Sequence, residues 1–193
     1  MVVRADKIVV VDIEATCWEP NLPPPGQQGE IIEIGVCLLD VGSGALSGKR
    51  SILVRPERST VSAFCTQLTT LTQEQVDGGV SFAEACAILE RGYRSRERVW
   101  ASWGNYDRAM FEAQCAERHI RYPFSEQHIN VKKLFADLRG LRRRVGMKTA
   151  LKIARLSLEG THHRGSDDAW NIARLLAGLL ADYQYEALLN ARF

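Results

Sequence analysis

Two carboxylates, Asp12 and Glu14, lie two residues apart at the end of the apolar run 7–14. Because alternate residues of a β-strand point to the same face, both acids share a face with Ile8 and Val10. Carboxylates in such a poorly solvated position repel each other unless a cation neutralises them. Hard divalent ions such as Mg²⁺ or Mn²⁺ prefer oxygen ligands of this kind. The pattern therefore predicts a metal site, with the polar face of an edge strand as the alternative.

A third acid, Asp107, follows the predicted strand 99–103 and lies at the start of a predicted helix. It shares a helix face with Met110 and Phe111, three and four residues further on, and so lies on the side that we expect to be buried. If the two strands are parallel neighbours, Asp107 lies at the same sheet edge as Asp12. An acid that complements the helix dipole is the alternative.

The loop 161–168 contains two histidines and two aspartates, which form two possible pairs five residues apart. These are His162 with Asp167 and His163 with Asp168. The positions three, four, seven and eight residues after Asp168 are more apolar than those after Asp167, so Asp168 lies on the core side of the predicted helix. We therefore place Asp168 and His163 in the site and interpret Asp167 as a charge in the first helical turn. A merely exposed histidine is the alternative for His163.

The order of predicted elements, with strands first and then strands alternating with helices, indicates an α/β sheet flanked by helices. No internal repeat or linker divides the 193 residues, so we expect one domain over 1–193, with 184–193 as a C-terminal extension. The predicted strands are 7–14, 31–39, 49–54, 99–103 and a short piece at 128–130, and the predicted helices are 81–93, 107–118, 131–138, 147–156 and 168–182.

Composition and cysteine usage indicate an ordinary globular protein. No stretch approaches eighteen apolar residues, and the N-terminus shows a short apolar strand rather than a signal peptide, so we expect no membrane association. The five cysteines are widely spaced without a Cys-x-x-Cys pair, which predicts reduced thiols in a cytoplasmic protein. Cys115 and His119 lie four apart on a predicted helix, but no second pair completes a zinc site.

Charge is unevenly distributed along the chain. The segment 132–164 carries ten basic residues against only Asp137 and Glu159, while the net charge of the whole chain is +2. A basic segment that adjoins an acidic metal site suits a polyanionic substrate. A solvated helix face is the alternative.

Taken together, Asp12-x-Glu14, Asp107 and His163 five residues before Asp168 resemble the DEDD-type 3′–5′ exonucleases of the histidine-bearing subgroup, DEDDh. The resemblance covers nearly the whole chain. It implies a ribonuclease H-like fold, with a five-stranded mixed sheet and helices on both sides. Four segments are similar to the branch that trims the 3′ ends of histone mRNA and small RNAs, namely 11–18, 30–35, 64–69 and 167–173.

The resemblance implies an exonuclease that releases nucleoside 5′-monophosphates from single-stranded RNA or DNA 3′ ends, with RNA favoured. Asp12, Glu14 and Asp168 would hold the first of two Mg²⁺ or Mn²⁺ ions. Asp107 would support the second ion, which Asp12 also contacts. His163 would act as general base. The chemistry independently suits these roles, because paired cations clamp the attacking and leaving oxygens at phosphorus, and an unperturbed histidine with a pKa of about 6.5 accepts a proton near neutral pH.

Substrate contacts follow from the same resemblance. The backbone of 15–17 and the loop 68–71 would hold the terminal nucleotide, with Leu71 wedged beside its base. Trp18 and Trp103 offer rings on which a base could stack, although tryptophan in a sheet protein is also a common core residue. The predicted substrate-binding residues are Ala15, Thr16, Cys17, Trp18, Leu68, Leu71, Trp103 and Asn105.

Some assignments stay open at this point. Arg164 and Lys148 could contact phosphates or be solvated, and Glu33 could support a metal ligand without binding the ion itself. Two other functions compete with the enzyme: a nucleic-acid-binding module without turnover, and a proofreading or trimming subunit of a larger complex. The presence of all five catalytic residue types argues against the first of these.

Overall fold

Strand β1 (Arg4–Ala15) is the centre of a five-stranded mixed sheet in this computed structural model, which describes residues 3–19 and 22–183. On one side β1 pairs antiparallel with β2 (Ile31–Asp40), which pairs antiparallel with β3 (Leu46–Leu53). On the other side it pairs parallel with β4 (Arg98–Ser102), which pairs parallel with β5 (His128–Asn130). The strand order is therefore β3-β2-β1-β4-β5.

This topology confirms the predicted fold class and removes one alternative. Since β1 has a neighbour on each side, Asp12 and Glu14 do not belong to the polar face of an edge strand. The parallel pairing of β1 with β4 also satisfies the condition for bringing Asp107 to the same sheet edge. Two strands begin three residues before the predicted start, β1 at Arg4 and β3 at Leu46.

Helices cover both faces of the sheet, close to the predicted positions. The last helix begins three residues before the predicted start, and the sixth ends at Ile153 rather than at 156. The predicted C-terminal extension 184–193 lies outside the described residues. The helices are α1 (Ala63–Thr69), α2 (Gln73–Asp77), α3 (Phe82–Tyr93), α4 (Tyr106–Glu117), α5 (Val131–Leu138), α6 (Met147–Ile153) and α7 (Gly165–Asp182).

Alternation along β1 divides the core into two layers. Ile8 and Val10 are fully buried in a cluster that includes apolar residues of α5, α6 and α7. Val9 and Val11 are buried on the opposite face, in a cluster that includes apolar residues of α3 and α4. Asp12 and Glu14 continue the Ile8 and Val10 face, so the strand directs both acids towards the layer that contains α7.

None of the helices in 3–19 and 22–183 combines the length and the apolarity that a membrane crossing requires. All five cysteines fall in these ranges and are free thiols, as predicted. Cys115 is buried on α4, and a hydrogen bond with Cys86 lowers the pKa of its thiol, whereas His119 is exposed beyond the end of the helix.

Candidate active site

Three carboxylates meet where β1 ends. Ligand oxygens of Asp12, Glu14 and Asp168 all lie within 4.8 Å of one another. Glu14 and Asp168 are buried, with 8% and 4% of their surface exposed, and Asp12 is half-buried. Asp12 and Glu14 come from β1, whereas Asp168 comes from the first turn of α7. The strand and the helix therefore build one acidic group from distant parts of the chain.

A contact between two glycines lets α7 approach the sheet closely enough for this. Gly35 is the β2 partner of Asp12, and a Cβ placed on Gly35 would lie 1.8 Å from the carbonyl carbon of Gly165. The N–H of Gly165 donates a hydrogen bond to Glu33 Oε2 at 3.0 Å. A glycine inside the apolar strand 31–39 is the signal that could have revealed this contact, because such a glycine often marks a close backbone approach.

Asp107 completes the acidic group from the other side of β1. It lies in the first turn of α4 with 4% of its surface exposed. Its Oδ1 accepts a hydrogen bond of 3.0 Å from the backbone N–H of Ile13, the residue between Asp12 and Glu14. The backbone of β1 thus fixes Asp107 beside the two strand acids. We refer to Asp12, Glu14, Asp107 and Asp168 as the carboxylate site.

Burial and mutual repulsion raise the pKa values of these acids. Burial, reinforced by the negative charges of Asp107 and Glu14, raises the pKa of Asp12 well above its ordinary value. Burial, with repulsion from Asp168 and Glu33, raises the pKa of Glu14 to about 8. Burial raises the pKa of Asp107 to about 6, although the hydrogen bond from Ile13 opposes the shift. Desolvated oxygen donors that repel one another fit a divalent cation, which would relieve that repulsion.

The turn 161–164, here called the histidine turn, places two imidazoles beside Asp168. His162 Nδ1 lies 3.1 and 2.9 Å from the two carboxylate oxygens of Asp168. The backbone N–H of His163 donates to Asp168 Oδ2 at 2.9 Å, and the two histidine rings have centroids 3.9 Å apart. His163 has a φ of +64°, an uncommon conformation for a residue with a side chain. Burial, together with the charges of His162 and Lys148, lowers the pKa of His163.

Asp167 points away from the carboxylate site. Its Oδ1 accepts from Lys49 Nζ at 2.6 Å, and its Oδ2 accepts from the backbone N–H of Thr161 at 2.7 Å. The structure therefore brings Asp168, rather than Asp167, beside Asp12 and Glu14. Both histidines, however, lie close to Asp168, a proximity that the five-residue spacing did not indicate.

Glu33 and Arg164 form a support beneath the site. Glu33 is fully buried, and Arg164 Nε donates to its Oε2 at 3.2 Å. Arg164 therefore pairs with Glu33 while 28% of its side chain remains exposed, and its contact with a phosphate stays a prediction. Glu33 is the β2 partner of Glu14 and accepts a hydrogen bond from the N–H of Gly165. It therefore connects α7 to β2, the strand that pairs with β1 beside the acids.

The predicted nucleotide-binding backbone has well-defined partners. Thr16 is buried, and its Oγ1 donates to the Gln28 carbonyl at 3.1 Å. The Cys17 carbonyl accepts from Ser62 Oγ at 2.6 Å, which anchors the segment to the start of α1. Ala15 ends β1 and is also buried. Any contact of 15–17 with a nucleotide would therefore depend on the backbone, as the resemblance implies.

The two leucines predicted to contact the terminal nucleotide differ in exposure. Leu68 has 37% of its surface exposed. Leu71 is fully buried and belongs to a small cluster with Ile32, Cys65 and Val76. In this arrangement Leu71 has no exposed surface, so its predicted contact with a base would require this cluster to open. The same short apolar segment also supplies the core beneath α1 and α2.

The aromatic candidates differ as well. Trp18 and Trp103 are half-buried, and the Trp103 ring lies 6.3 Å from that of Phe135, against the core. Sequence reasoning overlooked Tyr106, which has 60% of its surface exposed directly before Asp107. An aromatic residue adjacent to a predicted catalytic acid is the signal that could have identified it. The predicted Asn105 is exposed, and its Oδ1 accepts from Asn130 Nδ2 at 2.8 Å.

Comparison with known proteins shows which family has this arrangement. A family model described as exonuclease, RNase_T, matches residues 9–176. The chain is 32% identical to human 3′-5′ exoribonuclease 1 over 188 residues, which cover 92% of the chain and 53% of that protein. It is 28% identical to the 3′-5′ exonuclease Snipper of Drosophila melanogaster over 196 residues, which cover 91% of the chain and 69% of that protein. The chain thus spans about half the length of the human relative.

Solved structures agree with the sequence relatives. The nuclease domain of 3′hExo, a DEDDh family member, bound to rAMP, superposes with a TM-score of 0.84 at 29% identity, covering 95% of this chain and 96% of that one. A 3′-exonuclease solved in 3′-end specific recognition of the histone mRNA stem-loop gives a TM-score of 0.81 at 29% identity, covering 92% and 83%. The predicted ribonuclease H-like fold is thereby confirmed. The chain belongs to the RNase_T exonuclease family, and its relatives include DEDDh 3′–5′ exonucleases.

Proposed function

We propose that this chain is a metal-dependent 3′–5′ exonuclease that removes nucleoside 5′-monophosphates from the 3′ ends of single-stranded nucleic acid. The observation that carries the proposal is the convergence of four buried or half-buried carboxylates and His163 at one sheet edge. Family membership gives this arrangement its reaction class, the hydrolysis of a terminal phosphodiester.

Asp12, Glu14 and Asp168 would hold one divalent cation, and Asp107 with Asp12 would support a second. The bound cations would polarise the phosphoryl oxygens and favour ionisation of the attacking water. The carboxylates would hold those ions in fixed positions, because Ile13 fixes Asp107 and the Gly35–Gly165 contact fixes the start of the helix that carries Asp168. Mg²⁺ is our first choice, with Mn²⁺ as the alternative, because the ligand set consists of carboxylate oxygens.

His163 would accept the proton of the attacking water. Its lowered pKa keeps the ring neutral at physiological pH, and only a neutral imidazole can act as a base. The hydrogen bond from its backbone N–H to Asp168 couples the position of the turn to a metal ligand. His162 also contacts the Asp168 carboxylate but would not be required for proton transfer.

The terminal nucleotide would lie between the segment 15–18 and the start of α4. Trp18, Leu68 and Tyr106 offer partly exposed apolar surface there. Asn105 lines a cavity of about 560 Å³ beside the edge strand β5, together with Lys133 and Arg144. Arg144 belongs to the loop 142–146 before α6, and Lys148 in the first turn of α6 lies close enough to influence His163. Basic groups thus extend from the histidine turn towards β5, as a path for a phosphate backbone requires.

RNA is the preferred substrate in this proposal. The human relative is named an exoribonuclease, and one solved neighbour recognises a histone mRNA stem-loop. A cytoplasmic location remains part of the proposal and rests on the sequence-based expectation of reduced thiols. A binding module without turnover and a trimming subunit of a larger complex are the competing functions.

The decisive experiment follows the products of synthetic RNA and DNA strands. Single strands labelled at the 5′ end are incubated with the purified chain in Mg²⁺, in Mn²⁺ or in chelator. We expect a ladder that shortens from the 3′ end, with faster loss of RNA and no loss in chelator. Nucleoside 5′-monophosphates should accumulate, as measured by chromatography of material labelled at the 3′-terminal nucleotide.

A strand whose 3′ hydroxyl is blocked by a phosphate serves as the matched substrate control. Internal cuts, 3′-phosphate products or activity without metal would contradict the proposed mechanism. Binding without shortening would favour the module without turnover.

A further inference from the structure

The histidine turn creates a second group of metal-binding atoms that shares one residue with the carboxylate site. One ligand atom each from His162, His163 and Asp168 lies within 4.8 Å of the other two. Asp168 also belongs to the group with Asp12 and Glu14. Two overlapping ligand sets therefore compete for one carboxylate.

The two sets differ in chemistry. The carboxylate site offers oxygen atoms only, which suit Mg²⁺ and Mn²⁺. The set formed by His162, His163 and Asp168 offers two imidazoles and one carboxylate, a combination that suits Zn²⁺ and similar transition-metal ions. Which ion is bound would therefore decide which partners Asp168 has.

The three ligand atoms, all within 4.8 Å of one another, would have to come closer to bind such an ion. Zinc bonds of about 2.0–2.1 Å at tetrahedral angles place neighbouring ligand atoms roughly 3.3 Å apart. His162 Nδ1 already lies 2.9 Å from Asp168 Oδ2. The ring of His163 lies against that of His162, with centroids 3.9 Å apart and planes inclined by 34°. All three side chains thus converge before any metal binds.

We propose that His162, His163 and Asp168 form an inhibitory site for a transition-metal ion of the Zn²⁺ class. An ion bound there occupies a lone pair of the His163 ring and an oxygen of Asp168. Water cannot then transfer its proton to His163, and the carboxylate site loses the full use of one ligand. The ion-binding part stands on geometry alone, whereas the inhibitory part rests on the exonuclease function proposed above.

Without His162, this site would consist only of one histidine and one carboxylate. It contacts Asp168 but has no assigned role in hydrolysis. Replacement of His162 therefore separates zinc binding from catalysis. His119, which is exposed beyond the end of α4, provides a matched histidine control.

The first experiment measures Zn²⁺ binding in saturating Mg²⁺ by competition with a chromophoric chelator, without nucleic acid. The three proteins are the original chain, His162→Gln and His119→Gln. Loss of a residue that supports a metal ligand typically weakens metal binding roughly 10- to 100-fold. Loss of a direct ligand, as in His162→Gln, should weaken Zn²⁺ binding at least as much. His119→Gln should bind Zn²⁺ as the original chain does. Equal affinity in all three proteins would overturn the proposal.

Location is tested by crystals soaked in Zn²⁺ and measured at the zinc absorption edge. We expect an anomalous peak within bonding distance of ring nitrogens of His162 and His163. A peak confined to Asp12, Glu14 and Asp168 would overturn the proposal, because it would place the ion in the oxygen-only set. Thermal unfolding of His162→Gln in Mg²⁺ checks that the variant is folded before its affinity is compared.

Inhibition is tested last, as Zn²⁺ titrations of Mg²⁺-dependent cleavage. His162→Gln should keep its Mg²⁺-dependent activity and need a correspondingly higher Zn²⁺ concentration for half-inhibition, whereas His119→Gln should not. Equal Zn²⁺ sensitivity in His162→Gln and the original chain would contradict the inhibitory role. If the chain showed no cleavage at all, the exonuclease function would fail while the binding and diffraction results would still decide the metal site.

Discussion

The carboxylate site and the histidine turn meet at Asp168 but are held in different ways. Asp12 and Glu14 belong to a strand with neighbours on both sides, and a main-chain hydrogen bond from that strand fixes Asp107. The histidine turn is half-buried, and His163 has a left-handed backbone conformation. Its main anchors are bonds to the side chains of two aspartates at the start of α7.

This difference indicates a division of roles. Acids held by sheet register can be buried close together despite their repulsion, because the sheet prevents them from moving apart. A turn held by a few polar contacts can adjust its imidazoles when substrate or an ion binds. We therefore expect substitutions in the carboxylate site to have the largest effects on activity, and substitutions around the turn to have graded ones.

The largest effect is expected for Asp12→Asn and Asp168→Asn. Each substitution keeps the shape of the side chain but removes the charge of a proposed metal ligand, so single-turnover cleavage in Mg²⁺ should fall to the detection limit. Both variants should remain folded, because removal of a buried negative charge relieves repulsion.

Asp167→Asn is the matched control for this pair. Asp167 binds Lys49 and the backbone of Thr161 rather than the carboxylate site, so the variant should keep most of its activity. Near-normal turnover by Asp12→Asn, or full loss in Asp167→Asn, would show that the acids were assigned wrongly.

The next largest effect is expected for His163→Ala. Loss of a positioned general base typically slows a reaction about 10²–10⁴-fold. The acidic limb of the rate–pH profile should also flatten, whereas affinity for a single strand should change little. Single-turnover rates at saturating Mg²⁺ across pH give both quantities.

His162→Ala tests the alternative assignment of the base. The structure places both rings near Asp168, so position alone does not separate them. If His163 is the base, His162→Ala keeps most of the activity and the same acidic limb. The reverse pattern would make His162 the proton acceptor.

The contact between β2 and α7 should tolerate very little change. Gly35→Ala would place a methyl group 1.8 Å from Gly165, so α7 must shift. Overpacking typically costs about 1–3 kcal/mol, and we expect the upper end here because backbone atoms clash. Activity should fall more than stability, since the shift moves Asp168.

Gly178→Ala, in the same helix α7, is the control. A Cβ at Gly178 would meet no atom within 4 Å, so this variant should unfold at the same temperature as the original chain or slightly higher. Thermal unfolding and single-turnover cleavage compare the two variants. Equal behaviour would mean that the Gly35–Gly165 approach does not position Asp168.

The sequence allowed prediction of the carboxylate site but of only part of the histidine turn. Alternation along β1 and the strand–helix order placed Asp12, Glu14 and Asp107, because periodicity determines which residues share a face. The pairing of Arg164 with Glu33 joins residues 131 positions apart, and no local pattern predicts such a contact. The left-handed backbone of His163 could not be predicted from the sequence either, because it depends on the tertiary hydrogen bonds of the turn.

Repulsion within the carboxylate site should be visible as a pH-dependent stability without metal. Burial raises the pKa of Glu14 to about 8, against 4.5 for a solvated glutamate. Between these values the folded chain retains a proton that the unfolded chain has released, so the free energy of unfolding falls as pH rises. We expect the unfolding temperature in chelator to decrease between about pH 6.5 and 8, above the ordinary pKa of histidine.

Glu14→Gln should flatten this decrease, and Mg²⁺ should reduce it, because a bound cation replaces the retained proton. Thermal unfolding in chelator and in Mg²⁺ at several pH values measures both effects. An unfolding temperature that is independent of pH in the original chain would show that the acids are well solvated.

The smallest effect is expected in the exposed loop beside the histidine turn. Arg142, Arg143 and Arg144 are exposed, and Arg144 lines the cavity beside β5. Each phosphate contact with a single strand contributes roughly 0.7 to the slope of log affinity against log salt concentration. If all three arginines contact the strand, their replacement by glutamine should reduce that slope by about 2.

A triple replacement on another surface distinguishes a defined binding path for the strand from nonspecific electrostatic attraction. Arg55, Arg91 and Arg94 are also exposed but belong to the region around α3. Their replacement by glutamine changes the net charge equally and should leave the salt slope nearly unchanged. Both triple variants also carry Asp12→Asn, so that the strand is not degraded while its binding is measured. Equal slopes in the two triple variants would mean that the loop 142–146 is a solvated surface, and that contacts close to the carboxylate site hold the strand.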